Sequence, residues 1–162
     1  MKITEQKRIV KFMRIAVKLS QEGMRKNKGG PFGAVIVKNN RIVGRGFNRV
    51  TSGNDPTAHA EVVAIRDACK RLRTFQLDGC ELFTSCEPCP MCLGAIYWAR
   101  PKAVYYANTI KDAARIGFDD KFIYDEINKS ITRRRYKLKK VNLKEAKGPF
   151  KEWQKKNNKT KY

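Results

Sequence analysis

The chain has 162 residues, which suits one compact domain rather than two, and 41% of them are hydrophobic, enough for a real core. Its longest apolar runs fall short of the ~18 residues that a membrane-spanning helix needs, and the first ten residues lack the apolar stretch of a secretory signal, so we expect a cytoplasmic location. The net charge of +21 resides in the flanks, because residues 1–50 and 121–162 carry +11 each and residues 51–120 carry −1.

The first half of the chain predicts a helix, a hairpin and a second helix. Apolar or small side chains recur at three- and four-residue steps near the N-terminus and predict a helix that ends near Gly29-Gly30-Pro31. Two β-rich runs follow at residues 32–38 and 41–47, and the Asn39-Asn40 pair between them favours a tight turn. Residues 50–56 are typical of a loop, and Thr57 is the expected N-cap of a helix that runs to about Leu72.

The second half predicts strands that alternate with helices. The expected elements are a strand at 80–85, a helix from Pro88 to about Ala99, a strand at 102–107, a helix around 119–128, a strand near 136–141 and a final helix from about Leu143. Such alternation indicates an α/β fold, in which helices cover the faces of a central sheet.

Five cysteines are present, three of them within seven residues, and this clustering favours metal binding over a disulfide framework. His59, the only histidine, precedes Glu61 by two residues, and Cys89 and Cys92 follow Pro88. A catalytic zinc ion takes three protein ligands and keeps one position open for water, which one imidazole and two thiolates would provide. A cysteine pair at the start of a helix also favours the thiolate form that zinc binds.

Glu61 is the expected proton carrier rather than a zinc ligand. The pattern H-x-E followed by P-C-x-x-C is the signature of zinc-dependent nucleobase deaminases, in which the glutamate moves protons between the water and the leaving amine. On an ideal helix positions i and i+2 diverge by about 200°, so the motif must lie at an irregular helix start for His59 and Glu61 to converge. The alternative is a structural zinc site closed by Cys86 as a fourth ligand, but it leaves Glu61 without a role. Cys86 is otherwise a packed thiol near the site.

These motifs resemble those of the cytidine-deaminase-like superfamily and, within it, the branch of bacterial guanine deaminases. The resemblance rests on Asp55-Pro-Thr-Ala-His-Ala-Glu61 and on Thr84-Ser-Cys-Glu-Pro-Cys-Pro-Met-Cys-Leu-Gly-Ala-Ile-Tyr-Trp-Ala-Arg100. It extends from about residue 10 to the C-terminus through Gly30-Pro-Phe-Gly-Ala-Val35, Gly117-Phe-Asp-Asp120 and Gly148-Pro-Phe-Lys-Glu-Trp153.

The resemblance implies a three-layer α/β/α fold around a mixed five-stranded sheet, in one zinc-dependent deaminase domain over residues 1–162. It implies hydrolysis of guanine to xanthine and ammonia with one Zn²⁺ per subunit, held by His59, Cys89 and Cys92, and with Glu61 as the proton shuttle.

The resemblance also implies contacts to the purine. Asn48 and Asp120 match positions that bind it, although without the resemblance they would be interpreted as a turn residue and a helix N-cap. Phe32 and Trp98 are candidates for an apolar wall, and a role in the core is the alternative for Trp98. The branch forms homodimers that exchange their C-terminal segments, here about residues 142–162, so that Tyr162 would cap the partner's site. The alternative is a frayed, lysine-rich tail.

Other functions remain open at this point. A tRNA adenosine deaminase shares both motifs and would use the basic flanks to bind RNA, and a guanosine deaminase is a close variant. A non-catalytic RNA-binding zinc module would need four protein ligands. The basic flanks themselves have two interpretations, association with nucleic acid and, slightly favoured, a solvated surface that serves solubility.

Overall fold

The computed structural model describes residues 3–162, apart from the side chain of Ile3. The contacts divide the chain into two compact units, one ending at Asp120 and the other comprising Lys121–Tyr162. The first unit contains α1 (Ile3–Arg25), β1 (Gly33–Lys38), β2 (Arg41–Phe47), α2 (Val50–Gly53), α3 (Ala60–Leu72), β3 (Glu81–Cys86), α4 (Pro90–Ala99), β4 (Ala103–Asn108) and α5 (Ile110–Arg115). The second contains α6 (Lys121–Asn128), two 3₁₀ turns (Ile131–Arg133 and Lys144–Lys147) and α7 (Gly148–Lys155).

The strands of the first unit form a mixed sheet in the order β2-β1-β3-β4. β1 is antiparallel to both β2 and β3, and β3 is parallel to β4. Asn39 and Asn40 join β1 to β2 with φ angles of 49° and 60°. These left-handed conformations are the ones that a two-residue hairpin turn requires and that asparagine tolerates, which confirms the predicted hairpin.

Helices cover both faces of this sheet, because β1 and β3 are apolar on both faces. α1 packs Phe12 and Ala16 against Val35, Val37 and Phe83. The opposite cluster packs Ala60 and Ala64 of α3 and Ile96 of α4 against other side chains of the same strands, Ala34, Ile36 and Leu82. The α/β fold with helix, sheet and helix layers is therefore confirmed. None of the helices in residues 3–162 is long and apolar enough to cross a bilayer.

The sheet has four strands rather than the five expected. Residues 136–141, predicted as a strand, contain no strand in the structure. A strand is stable only when a neighbouring strand satisfies its backbone groups, and a pattern of side chains does not supply that neighbour. The pattern was therefore insufficient at this position.

The starts of several helices also differ from the sequence prediction, and α4 begins at Pro90 with Cys89 as N-cap rather than at Pro88. α3 begins at Ala60 with His59 as N-cap, not at Thr57, whose hydroxyl instead donates to Asp55. The unpredicted α5 begins at Thr109, where a capping box with Asp112 satisfies the first N–H groups of a six-residue helix.

A close approach of α3 to β2 positions the start of α3. A Cβ added at Gly46 would lie 2.2 Å from the Ala60 oxygen and 2.6 Å from the Ala64 nitrogen, so only glycine lets the helix lie this close to the strand. Because α3 begins with His59 and Glu61, this contact also determines where those side chains lie.

Gly46→Ala is expected to destabilise the fold by about 1–3 kcal/mol and to weaken zinc binding, because the new methyl group must push the start of α3 away from β2. Denaturant unfolding and metal content after dialysis test both effects. Gly94→Ala is the matched control: a Cβ there meets nothing within 4 Å, so stability should be unchanged or slightly higher. Equal effects of the two variants would contradict the argument.

Candidate active site

Three predicted zinc ligands converge where two helices begin. His59 is the N-cap of α3, Cys89 is the N-cap of α4, and Cys92 lies in the first turn of α4. Their ligand atoms all lie within 4.8 Å of one another. The Nδ1 atom of His59 is 3.5 Å from the sulfur of Cys89 and 3.5 Å from the sulfur of Cys92.

This spacing fits zinc. In a tetrahedral site, Zn–S bonds of about 2.3 Å and Zn–N bonds of about 2.0–2.1 Å place a ligating nitrogen about 3.5 Å from each ligating sulfur. The observed separations equal that distance. Within residues 3–162 the group contains three ligands and excludes Cys86, so the arrangement is that of a catalytic site with one open position rather than of a closed structural site.

The two cysteine thiols differ in their tendency to lose a proton. A hydrogen bond from the Cys92 thiol, assisted by the His59 ring, lowers the pKa of Cys89 to about 4. The same bond to Cys89, together with burial, raises the pKa of Cys92. One thiolate therefore forms readily, and a metal ion must displace the proton that Cys92 retains.

The carboxyl group of Glu61 lies next to the three candidate zinc ligands. Its carboxyl group is buried, accepts a hydrogen bond from the Thr84 hydroxyl at 3.1 Å, and lies 3.5 Å from the Cys92 sulfur. Burial raises the pKa of Glu61, which favours its protonated form. His59 has an extended backbone (φ −69°, ψ 157°) and precedes the helix. Its side chain and that of Glu61 therefore both line one cavity, although the two residues are only two positions apart.

A cavity of about 440 Å³ in the first unit opens onto these groups. It brings together six of the residues singled out from the sequence: Phe32, Asn48, His59, Glu61, Cys89 and Asp120. All of the cavity's lining residues belong to the first unit.

Asn48 is buried and its orientation is set by its backbone neighbours. Its Oδ1 atom accepts from the Gly30 N–H at 3.3 Å and from the Val50 N–H at 3.1 Å. A Cβ at Gly29 would lie 2.1 Å from this oxygen, so the loop must carry glycine there. With its oxygen engaged in this way, the side chain offers its Nδ2 group to a ligand as a hydrogen-bond donor.

Asp120 supplies a hydrogen-bond acceptor, whereas Asn48 supplies a donor. Its Oδ1 atom is buried and has no hydrogen-bond partner in the described part of the chain. Burial raises the pKa of this carboxyl group, with the charge of Cys89 as a further cause. Buried acceptors are normally paired, so an unpaired one in a cavity indicates that a ligand supplies the donor.

One predicted residue of the first unit, Trp98, is not brought to this cavity. Trp98 does not line it and is 64% exposed, because Cys92, Ile96 and Ala99 form the buried side of α4 and Trp98 points away from that side. Trp98 is therefore not a core residue of this chain, and its contact with the purine stays a prediction. Tyr162 belongs to the second unit and is 69% exposed there.

Sequence reasoning missed other lining residues. Phe118 packs edge-on against Phe32 with ring centroids 4.9 Å apart, and Glu87 accepts from the Ile110 N–H. Cys86 also lines the cavity, and burial raises its pKa to about 11, which keeps it a thiol. The only signal for Phe118 was its place in the Gly117-Phe-Asp-Asp120 run, and Glu87 had none beyond its position before Pro88.

Comparisons with known proteins agree with this geometry. Residues 6–108 match the model of the cytidine and deoxycytidylate deaminase zinc-binding region. The guanine deaminase of Bacillus subtilis (strain 168) is 58% identical over 151 residues, which are 93% of this chain and 97% of that protein. Its crystal structure has a TM-score of 0.91, with 94% of this chain and 97% of that chain covered.

More distant relatives include both kinds of deaminase considered above. The structure of a guanine deaminase from Nitrosomonas europaea is 35% identical with a TM-score of 0.64 and covers 67% of this chain and 63% of that chain. The tRNA-specific adenosine deaminase of Aquifex aeolicus is 41% identical over 96 residues, which are 59% of this chain and 63% of that protein. With its zinc-ligand geometry and these matches, the chain belongs to the cytidine and deoxycytidylate deaminase family, whose members are zinc-dependent hydrolases of C–N bonds.

Proposed function

We propose that the protein hydrolyses guanine to xanthine and ammonia. The observation that carries this substrate is the unpaired carboxylate oxygen of Asp120, which lies in the same cavity as the Asn48 amide and the zinc ligands. The 58% identity with the B. subtilis guanine deaminase over nearly the whole of both chains supports it.

The hydrogen-bonding groups of the cavity favour guanine over adenine. Guanine presents donors at its N1–H and 2-amino groups and acceptors at O6 and N7, and these complement a carboxylate and an amide Nδ2 group. Adenine has an acceptor at N1, which would face the Asp120 carboxylate without a proton between them. A buried polar group left unpaired by the wrong substrate gives strong discrimination.

The reaction needs one attacking water, one proton at N3 and one proton at the leaving nitrogen. Zinc, which His59, Cys89 and Cys92 would hold, would supply Lewis acidity that activates the water. Glu61 accepts a proton from the water as its oxygen bonds to C2 and passes that proton to N3. It then takes the proton of the new C2 hydroxyl group as the C2=O bond forms, and delivers it to the 2-amino nitrogen as the C2–N bond breaks. Water and guanine thus become xanthine and ammonia, and Glu61 returns to its starting state.

A substrate panel tests this proposal directly. Guanine, guanosine, cytosine, adenine and tRNA are compared by ammonia release with the zinc-loaded protein. We expect guanine to have the highest kcat/KM and adenine to be turned over at least about 100-fold less efficiently, since one unpaired buried charge is worth roughly 3 kcal/mol. A preference for tRNA, with inosine as product, would instead support the tRNA adenosine deaminase alternative.

We propose further that the active form is a homodimer in which the C-terminal segments, about residues 142–162, are exchanged. The second unit has 42 residues, too few for an independent core. It exposes many large apolar side chains, among them Phe122, Ile127, Tyr136, Leu138, Val141, Phe150 and Trp153. A second copy of the chain would cover this surface, and Tyr162 would then cap the partner's cavity.

Complementation between two defective variants tests the exchange. Glu61→Gln and Tyr162→Ala are each expected to lower activity as homodimers. If segments are exchanged, a mixed dimer contains one site with both defects and one intact site, so the mixed dimer purified after co-expression should have about half of the wild-type activity. Without exchange every site keeps one defect, and a mixed dimer that stays inactive contradicts the proposal.

We place the protein in the cytoplasm. All five cysteines are free in the structure, and a reducing compartment keeps the Cys89 and Cys92 sulfurs available to zinc.

A further inference from the structure

A basic groove lies in the first unit, outside the cavity described above. Its volume is about 600 Å³. Five cationic side chains line it: Arg45, Arg49, Arg66, Lys70 and Arg71. Gly46, Phe47, Ala58 and Val63 contribute small and apolar surface. The basic groove shares no lining residue with the cavity.

The charges of the basic groove are only partly neutralised. Arg66 pairs with Asp55 at 3.5 Å, and Arg71 pairs with Asp67 at 2.9 Å. None of the ion pairs formed within residues 3–162 includes the other three cations, Arg45, Arg49 and Lys70. The basic groove therefore keeps an excess of three positive charges, all on exposed side chains.

These cations come from separate places in the first unit, α3 and the end of β2. Arg66 and Lys70 are one helical turn apart on α3, about 6 Å along its axis, and like charges at this spacing repel each other. Arg45 and Arg49 come from β2 and from the segment after it. A single phosphate satisfies two or three such groups, whereas a chain of phosphates can neutralise all of them.

The surrounding backbone holds the groove in shape. The guanidinium group of Arg49 lies over the ring of Phe47, 5.1 Å from its centroid, and the Arg49 N–H donates to the Ala58 oxygen at 2.9 Å. Asp67 accepts from the Arg45 N–H, which closes the exposed edge of β2 against pairing with another strand. Cations that are already ordered lose less entropy when they bind.

From these contacts we infer that the basic groove binds a linear chain of phosphate groups, such as the backbone of a single RNA strand. Four of its five cations are arginines, whose planar forks match phosphate oxygens, and the Arg49–Phe47 stack offers a surface for a base. This binding is separate from guanine turnover and does not depend on it.

Fluorescence anisotropy of a labelled single-stranded RNA of about 16 nucleotides measures the binding to zinc-loaded protein between about 50 and 200 mM salt. The groove variant combines Arg45→Gln, Arg49→Gln and Lys70→Gln. The matched control combines Lys11→Gln, Arg14→Gln and Lys18→Gln, which removes the same charge from exposed positions of α1. Unfolding midpoint and zinc content show whether each variant is folded.

The groove variant is expected to bind RNA at least about tenfold more weakly, and its slope of log K against log salt should fall by roughly 2, because three phosphate contacts are lost. The control should change affinity less than about threefold by the same reasoning. Arg45→Lys with Arg49→Lys should keep most of the salt slope. Equal losses in groove variant and control would show a diffuse charge effect and overturn the inference.

Two further arms identify the source of the phosphates. Linear polyphosphate should displace RNA from the wild-type protein but not from the groove variant, because both polymers offer a linear chain of phosphates. The relative affinities for RNA and polyphosphate then show which polymer is preferred. Inorganic phosphate that competes as well as polyphosphate at equal phosphate concentration would contradict a chain-like ligand. If the groove variant no longer binds anionic vesicles but still binds RNA, the inference that the groove binds a phosphate chain would also be overturned.

Discussion

Glu61→Gln is expected to lower the turnover of guanine by about 10³–10⁴-fold while zinc stays bound, as the loss of a positioned acid–base group does in other enzymes. Glutamine keeps the size of the side chain and its acceptor for the Thr84 hydroxyl, which lies 3.1 Å from the carboxylate in the wild-type protein. It cannot take up the proton of the attacking water. The loss should therefore appear in kcat, with little change in metal content.

Steady-state assays of ammonia release and metal analysis of the purified variant measure the two effects. Thr84→Val is the graded control, because it removes only the hydrogen bond to Glu61 and should cost roughly tenfold, or about 1.5 kcal/mol. Turnover by Glu61→Gln within tenfold of wild type would refute the proton-transfer role. Loss of zinc from this variant would show that Glu61 acts on the metal site instead.

Asp120→Asn is expected to lower kcat/KM for guanine by about 100-fold, since hydrogen bonds to a charged acceptor are worth roughly 1.5–3 kcal/mol and the unpaired partner adds to the loss. The reason is the buried Oδ1 atom, which has no partner in the described chain and needs a donor from the ligand. An amide offers that donor a weaker acceptor and places an N–H₂ group in the cavity.

The preference for guanine over adenine should shrink in the same variant, because the amide introduced at this position can donate to the adenine N1 acceptor. Comparison of kcat/KM for both bases gives the result. Asp78→Asn makes the same change of charge at an exposed position outside the cavity and should leave both values unaltered. If the ratio of kcat/KM for guanine to kcat/KM for adenine is unchanged in Asp120→Asn, Asp120 does not determine the specificity of the site.

The zinc centre was predictable from the sequence because its parts are local. Cys89 and Cys92 are separated by one turn at a helix start, and His59 and Glu61 flank another helix start, so short-range spacing determines their direction. The Asn39-Asn40 turn is local in the same sense, since its φ angles depend on the two residues themselves.

Features that depend on distant segments were not predictable. The strand expected at residues 136–141 required a partner strand, which a single segment cannot provide. Trp98 was a candidate for the apolar wall through the family resemblance, but it lies on the exposed side of α4, which the packing of that helix decides. Phe118 meets Phe32 across more than 80 positions of the chain, and nothing local indicates that contact.

The sequence by itself thus predicted the chemistry: a zinc ion, the side chains that could ligate it and the carboxyl group proposed to move the proton. Only the tertiary structure decided which groups share the cavity, that one oxygen of Asp120 is left without a partner, and that cations from β2 and α3 line one groove. The physical reason is that ligand spacing follows from helix geometry over a few residues, whereas burial and unpaired groups follow from packing between segments far apart in the chain.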